Sequence, residues 1–461
     1  RVDFRDLPVD KAKHSIADKR QRLLYPATVS LALWLSACGG GGSGDDSSST
    51  TPQATEDWQR DILLTSLTID LEAMQGSADI QLAGSTTSSG ASFESGDLII
   101  AQVTANGLQL NYRNENGALH IGIPPSSDDV TLSIDYSLNL QSNFDGLLDG
   151  GMSFTWPYYC GNLFPCKSEP AEGSSYELQI NGVPAGSEAI YPASIINDAP
   201  AYMLAWVVGD YAFSSLGTTS AGTEVGVYYP AELQQQALDG SRYLRDVFDW
   251  YERTYGPYPF GQAVASVSVD WGPGQFGGME HHPFWHITSS AISDPWVHVH
   301  EAAHGWFGNG VRIACWEDFV LSEGLASYLT ARAVSAIAGE TTGDEVWTSY
   351  ATRLAQLQQS SSNKIAWPSG CQQIDILQDG LFGTAPYMKG AFFFRHLEFS
   401  LGVDRLDQIL REFFLAYVGT AASMDDLLQQ VEQRSGYDPE ACAIAWLRSE
   451  TLPSGDSCAY Q

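Results

Sequence analysis

The sequence predicts an α+β protein in which a β-rich first part precedes a mostly helical second part. Three observations carry this reading. From about Asp57 to Tyr229 short apolar or alternating runs recur between turn signals. After Pro230 the apolar spacing lengthens to the helical period. Asp294-Pro295 then places an N-cap residue directly before a proline, the order that opens a helix.

Along the first part the strand-forming runs are Leu67 to Leu71, Leu98 to Ile100, Leu108 to Leu110, Val130 to Ile134, Tyr176 to Ile180 and Val225 to Tyr228. No repeat of fixed period stands out. In the second part Leu244, Val247, Phe248 and Tyr251 share one face of a helix predicted over about 231–254. Val264 to Val269 reads as a strand. A helix is expected from Pro295 to about Phe307, and three more near 322–338, 403–416 and 424–435. These elements divide the chain into a β domain at 57–230 and a catalytic-type domain at 231–461.

The start of the chain has its own composition. Lys19, Arg20 and Arg22 precede an apolar run from Leu23 to Ala37, too short to span a bilayer and suited to a signal-peptide core. It ends in Leu35-Ser36-Ala37-Cys38, which resembles the lipobox of bacterial lipoproteins; an ordinary signal peptide cut near Ala37 is the alternative. On the first reading residues 1–37 are removed and Cys38 is acylated. Residues 38–56, rich in Gly, Ser, Thr and Asp, then form a flexible tether. The expected location is the bacterial cell envelope, lipid-anchored on the periplasmic or extracellular side. Six cysteines remain, and sequence proximity pairs them 160–166, 315–371 and 442–458, as suits an oxidising compartment.

Charge narrows the function. The 461 residues hold 55 acidic and 23 basic side chains, a formal charge of -32. Such a surface repels phosphate backbones and argues against a nucleic-acid partner. A hydrophobic content of 44% argues against disorder.

The chemistry concentrates in His300-Glu301-Ala302-Ala303-His304. Four residues apart on a helix, the two imidazoles share a face and can reach one metal ion. Glu301 stays near that face, placed to act on a metal-activated water as general base without being a ligand. A catalytic zinc takes three protein ligands and leaves a fourth position open. Glu323, separated from His304 by eighteen residues and at the start of the next predicted helix, is the candidate third ligand. His281, His282, His286 and His298 read as packing groups rather than a second metal site. Asp318 either bonds a ligand imidazole or serves as a turn or cap residue.

With these residues in place the chain resembles the gluzincin aminopeptidase family of aminopeptidase N. The resemblance runs through His300 to Asn309, Trp316-Glu317-Asp318 and Ser322 to Tyr328, with the same eighteen-residue separation. Gly277-Gly278-Met279-Glu280-His281 resembles the exopeptidase motif GxMEN, and Tyr387-Met388-Lys389-Gly390 resembles the segment of the catalytic tyrosine. Phe164-Pro165-Cys166 and Glu169-Pro170 resemble a signature of the family's N-terminal domain. The resemblance implies a saddle-like β domain followed by a thermolysin-like zinc peptidase domain, one Zn²⁺ ion, and peptide substrates. It gives His300, His304 and Glu323 the metal, Glu301 the general base and Tyr387 the oxyanion. Gly277, Gly278, Met279 and Glu280 fall to substrate binding, with Glu280 on the free α-amine. Two departures bear on specificity. His281 stands where the family has Asn, and Phe154-Thr155-Trp156 stands where it often has a Gln or Glu that helps hold the amine. A zinc endopeptidase, a peptidase with other end specificity and a non-catalytic binding lipoprotein are the alternatives to an aminopeptidase.

Overall fold

The computed structural model describes residues 52–142, 144–272, 277–454 and 458. The leader, Cys38 and the tether up to residue 51 lie outside the described residues. From Pro52 on, the chain is packed: Asn111 Nδ2 donates to the Pro52 carbonyl at 3.1 Å, and Ser92 N–H donates to the Asp57 carbonyl at 2.8 Å. The ordered fold thus begins several residues ahead of the expected border at 57.

The first part is built on a seven-stranded sheet. Its order is Ser194–Ala199, Ser174–Asn181, Ile62–Asp70, Gln75–Leu82, Val130–Ser137, Ile99–Ala105 and Leu108–Gln109. Alternation sets its register: Leu67 faces Ala78 across an antiparallel pair and Leu178 across a parallel one. Ala78, Ile80, Leu132 and Ile134 are completely buried on the inner face. Gly76 is required in this layer, because a Cβ there would overlap the Tyr136 ring. A three-stranded sheet of Gly90–Glu94, Ala118–Gly122 and Tyr112–Glu115 adds Phe93, Leu119 and Ile121 to the core.

A second, five-stranded sheet runs Ala212–Thr218, Glu224–Tyr229, Ala263–Val269, Phe284–Thr288 and Gly278–Met279. Glu224–Tyr229 pairs in parallel with Ala263–Val269. The expected border at 230 therefore falls inside one sheet: Ala212–Thr218 pairs with Glu224–Tyr229, which is itself hydrogen-bonded to the catalytic half. Their local alternation is the same in either sheet, so sequence pattern could not assign them.

The helices in chain order are α1 (Gln234–Ser241), α2 (Leu244–Tyr255), α3 (Pro295–Ala303), α4 (Phe319–Ala338), α5 (Glu340–Gln359), α6 (Thr384–Leu401), α7 (Val403–Tyr417) and α8 (Met424–Ser435). The single helix expected over 231–254 is broken at Arg242-Tyr243. Gly240 sits against the Ile292 carbonyl and His298, where a Cβ would overlap both. α2 buries Leu244, Val247, Phe248, Tyr251 and Tyr255, each such side chain contributing about 1.5–3 kcal/mol. Helices α5 and α6 were not among the expected ones, although α5 buries Val346, Trp347, Tyr350, Leu354 and Leu357 at helical spacing. On α6, Ala385, Pro386, Met388 to Phe394, His396 and Leu397 are all buried, so no polar face marks the turn.

Disulfides join Cys160–Cys166, Cys315–Cys371 and Cys442–Cys458, the pairing expected from proximity. The second ties the turn ahead of α4 to the loop ahead of α6. Titration of the unfolded, unreduced chain should therefore find at most one free thiol, that of Cys38; two or more would contradict this pairing.

Candidate active site

Helix α3 starts where the Asp294 carboxylate accepts from Trp296 N–H at 3.0 Å, with Pro295 in the first turn. It carries His300 and Glu301 and ends at Ala303, four residues short of the expected end. His304 is its C-cap; Asn309 N–H donates to the His304 carbonyl at 3.1 Å, and Gly308 turns the chain at φ 109°. This early stop has a chemical use. It brings the Phe307 carbonyl back to accept from His304 Nδ1 at 3.1 Å, with the Ser322 hydroxyl at 3.3 Å. The proton is thereby held on Nδ1 and the Nε2 lone pair is left facing the site.

Three donors converge there. His300 Nε2 lies 3.1 Å from Glu323 Oε2, His304 Nε2 lies 3.5 Å from the same oxygen, and the two imidazole nitrogens are 3.3 Å apart. A tetrahedral ion with bonds of about 2.0 Å spaces its ligands by about 3.3 Å, so these residues fit a zinc ion. Their electrostatics agree. Burial disfavours charge on His304, yet Glu323 and then Glu280 outweigh it and push the imidazolium up to about 10. Burial likewise works against the Glu323 carboxylate, and His304 and His300 overcome it. A pocket with three glutamates and two imidazoles is one that a divalent cation neutralises.

Glu323 reaches the site because α4 and α6 cross glycine on glycine. A Cβ on Gly390 would overlap the Gly324 Cα, and the converse contact is also closer than any real Cβ makes. The same crossing brings in Tyr387 from the first turn of α6. Its ring lies 6.1 Å from that of His300 at 26°. Burial first, then the Glu323, Glu280 and Glu301 carboxylates, raise its phenol well above the usual range, so it stays protonated and can donate.

The strand Gly278–Met279 flanks α3 on the other side. Gly278 is obligatory, since a Cβ would overlap the Glu301 carboxylate. Gly277 anchors the strand by accepting from Thr288 N–H at 3.0 Å. Glu280, Glu301 and His304 bring ligand atoms within 4.8 Å of one another, all buried. Burial and the neighbouring carboxylates raise both acids against the pull of His304, Glu280 to about 7 and Glu301 well above the usual carboxylate range.

The other histidines do not converge. His282 donates from Nε2 to the Glu301 carbonyl at 2.8 Å and accepts from the Tyr258 hydroxyl, pinning the helix backbone. His298 pairs with Ser266 and the Ile292 carbonyl, while His281 and His286 pair with each other at 3.1 Å. Asp318 accepts from Met424 N–H at 2.8 Å and so caps α8 rather than steadying an imidazole. The groups that do steady His304, the Phe307 carbonyl and Ser322, carried no signal beyond their place in the motif. Trp156 is buried against Phe382, ring centroids 4.0 Å apart, and offers no carboxylate or amide to the site.

Two imidazoles, one on α3 and one at its C-cap, meet a glutamate from α4 in a donor set that fits a zinc ion, on an α+β scaffold. Residues 246–446 match the peptidase family M1 domain. It is 27% identical over 323 residues to Aminopeptidase M1-B of Oryza sativa subsp. japonica, covering 63% of this chain and 36% of that protein. It is 26% identical over 330 residues to Leucine aminopeptidase 2 of Emericella nidulans, covering 63% and 51%. The chain thus spans from about a third to about half of the length of these relatives. In fold it is similar to the M1 zinc metallopeptidase from Deinococcus radiodurans, with TM-score 0.72, 19% identity, and coverage of 86% of this chain and 95% of that one. It is also similar to native yeast LTA4 hydrolase, with TM-score 0.73, 20% identity, and coverage of 90% and 72%.

Proposed function

We propose that the protein is a zinc aminopeptidase that removes N-terminal residues from peptides. The observation that carries this reading is the convergence of His300, His304 and Glu323 donor atoms within 3.5 Å, beside two further buried carboxylates. His300, His304 and Glu323 would hold the ion. When bound, zinc supplies Lewis acidity for the scissile carbonyl and for water.

The remaining work belongs to side chains of the chain. Glu301, a buried base with a raised affinity for protons, takes one from water and passes it to the leaving amine. The Tyr387 phenol donates to the oxyanion that develops on the carbonyl oxygen. Glu280, beside Glu301 in the same buried cluster, binds the substrate α-ammonium and so fixes which bond is cut.

Matched peptides with free and acetylated N-termini test the reading. Cleavage of the free form only, abolished by a chelator and restored by zinc, is expected. Equal cleavage of the acetylated form would favour the endopeptidase reading, which draws support from the indole of Trp156 where an amine-holding group was looked for. Stoichiometric zinc with no hydrolysis of any peptide would favour a binding protein.

The signal-peptide core and Leu35-Ser36-Ala37-Cys38 support attachment through acylated Cys38 to a bacterial envelope membrane. Among the described residues no helix is long and apolar enough to cross a membrane. Mass spectrometry of the N-terminal peptide from the native source should find diacylglycerol on Cys38; an unmodified Cys38 would remove the anchor.

A further inference from the structure

Glu280 can read an α-amine only if its strand keeps a fixed distance from the metal-bearing helix. We infer that Tyr202 and Asn309 form a positioning relay that sets this distance from the β half of the molecule. The inference deepens the aminopeptidase reading and rests on the role given there to Glu280.

Asn309 is completely buried, and its N–H, its Nδ2 and its Oδ1 are all engaged. Its N–H donates to the His304 carbonyl at 3.1 Å. Its Nδ2 donates to the Glu280 carbonyl at 2.7 Å. Its Oδ1 accepts from the Tyr202 hydroxyl at 2.9 Å. One residue thus spans the end of α3, through its backbone N–H, and the residue after the strand Gly278–Met279, through its side chain, whose orientation a phenol from elsewhere fixes. Tyr202 lies in the short 3-10 turn Ala201–Met203, which follows the edge strand Ser194–Ala199 of the seven-stranded sheet. It touches neither the metal donors nor the Glu280 carboxylate through any of these bonds. It acts through Asn309.

The same stretch is gripped a second time. Three residues on, Arg312 donates from Nε to the Ala171 carbonyl at 3.1 Å and from Nη1 to the Asp198 carbonyl at 2.9 Å. Nη1 also reaches the Gly419 carbonyl at 3.1 Å. Segment 309–312, which leaves the metal helix, is therefore held by the β half at both ends. The β half lends no carboxylate to the amine pocket, yet it determines where the one on Glu280 stands. His282 N–H also donates to the Glu280 carbonyl, at 2.9 Å, and its ring ties this segment to α3 through the Glu301 carbonyl at 2.8 Å. Asn309 adds the link that joins the Glu280 backbone to the β half.

Loss of the Tyr202 hydroxyl leaves Asn309 Oδ1 buried without a donor and its amide free to rotate. The metal donors keep their own bonds, including His304 Nδ1 to the Phe307 carbonyl. The effect should therefore appear in amine recognition rather than in metal binding.

The experiment uses the full chain as wild type, Tyr202→Phe, Asn309→Ser and the double variant. For each, kcat and KM are measured on matched free-amine and N-acetylated peptides, together with zinc content and Tm. With Tyr202→Phe, KM for the free-amine peptide should rise roughly tenfold, with zinc content unchanged and kcat within about twofold. The preference for the free over the acetylated peptide should fall in the same proportion. The double variant should be no worse than Asn309→Ser alone, because both break one relay. A purely structural role would lower Tm and leave the preference as it was, and that result would overturn the relay. So would additive losses in the double variant. If Asn309→Ser does not fold, Tyr202→Phe decides alone, since it removes a single oxygen. A wild type indifferent to acetylation would overturn the Glu280 reading and the relay with it; a discriminating wild type with an equally discriminating Tyr202→Phe would overturn the relay only.

Discussion

Glu301→Gln should leave a protein that binds zinc stoichiometrically and hydrolyses almost nothing. Glutamine has nearly the same shape and fits the space against Gly278, where even a Cβ on the strand would overlap the native carboxylate. The three proposed metal donors are His300, His304 and Glu323, so the substitution removes none of them. What it removes is the proton acceptor. A positioned general base contributes about 10²–10⁴-fold, and no neighbour can replace this one. Glu280 is in the same pocket but is assigned to the substrate amine, and Glu323 is committed to the imidazoles at 3.1 and 3.5 Å. Turnover should fall by about 10³-fold or more at unchanged metal content, measured by peptide hydrolysis beside elemental analysis. The fold should not suffer, because burial and the neighbouring carboxylates already disfavour the ionised form of Glu301. Retention of a tenth of wild-type turnover would take Glu301 out of the mechanism.

The parts of this site that were legible in the sequence are those whose geometry is local. His300 and His304 share a face because any helix places residues four apart on one side, and Asp294-Pro295 announces that helix. The β half was legible because its strands alternate. Glu323 was a candidate from its place at the start of the next helix, and the resemblance to a family supplied Glu280 and Tyr387, but neither gave the reason they meet. That reason is long-range: Gly324 and Gly390, far apart in sequence, let α4 and α6 approach closely enough to place Glu323 and Tyr387 in one pocket. The helix bearing Tyr387 was itself invisible to periodicity, since a segment buried on all sides has no polar face to count. The end of α3 was misjudged for a related reason. Alanine, glycine and aromatic residues after Glu301 permit a longer helix, and only the need to return the Phe307 carbonyl to His304 Nδ1 stops it early. Asn309 looked like one more motif letter until its three bonds were seen.

Tyr387→Phe gives the second large effect, and it separates oxyanion stabilisation from everything else in the pocket. The substitution deletes one hydroxyl and keeps the ring, which packs 6.1 Å from both His300 and Phe319. Helix α6 and its glycine contact with α4 do not depend on that oxygen, so Glu323 should keep its place and zinc its site. The native phenol is held protonated by burial and by three nearby carboxylates, well beyond neutral pH. Its proton is therefore available throughout the working range as a donor rather than an acid. Removing one such donor costs about 10²–10³-fold in turnover. Because the oxyanion forms only as the carbonyl is attacked, the loss should fall on kcat, with KM for a free-amine peptide changed little. That pattern is the reverse of the one expected for Tyr202→Phe, where KM moves and kcat stays. The two tyrosines, one beside the metal donors and one in the β half, thus offer a direct contrast within a single set of kinetic measurements. Near-normal kcat in Tyr387→Phe, with zinc present, would leave the oxyanion to the metal alone and reduce Tyr387 to a packing residue.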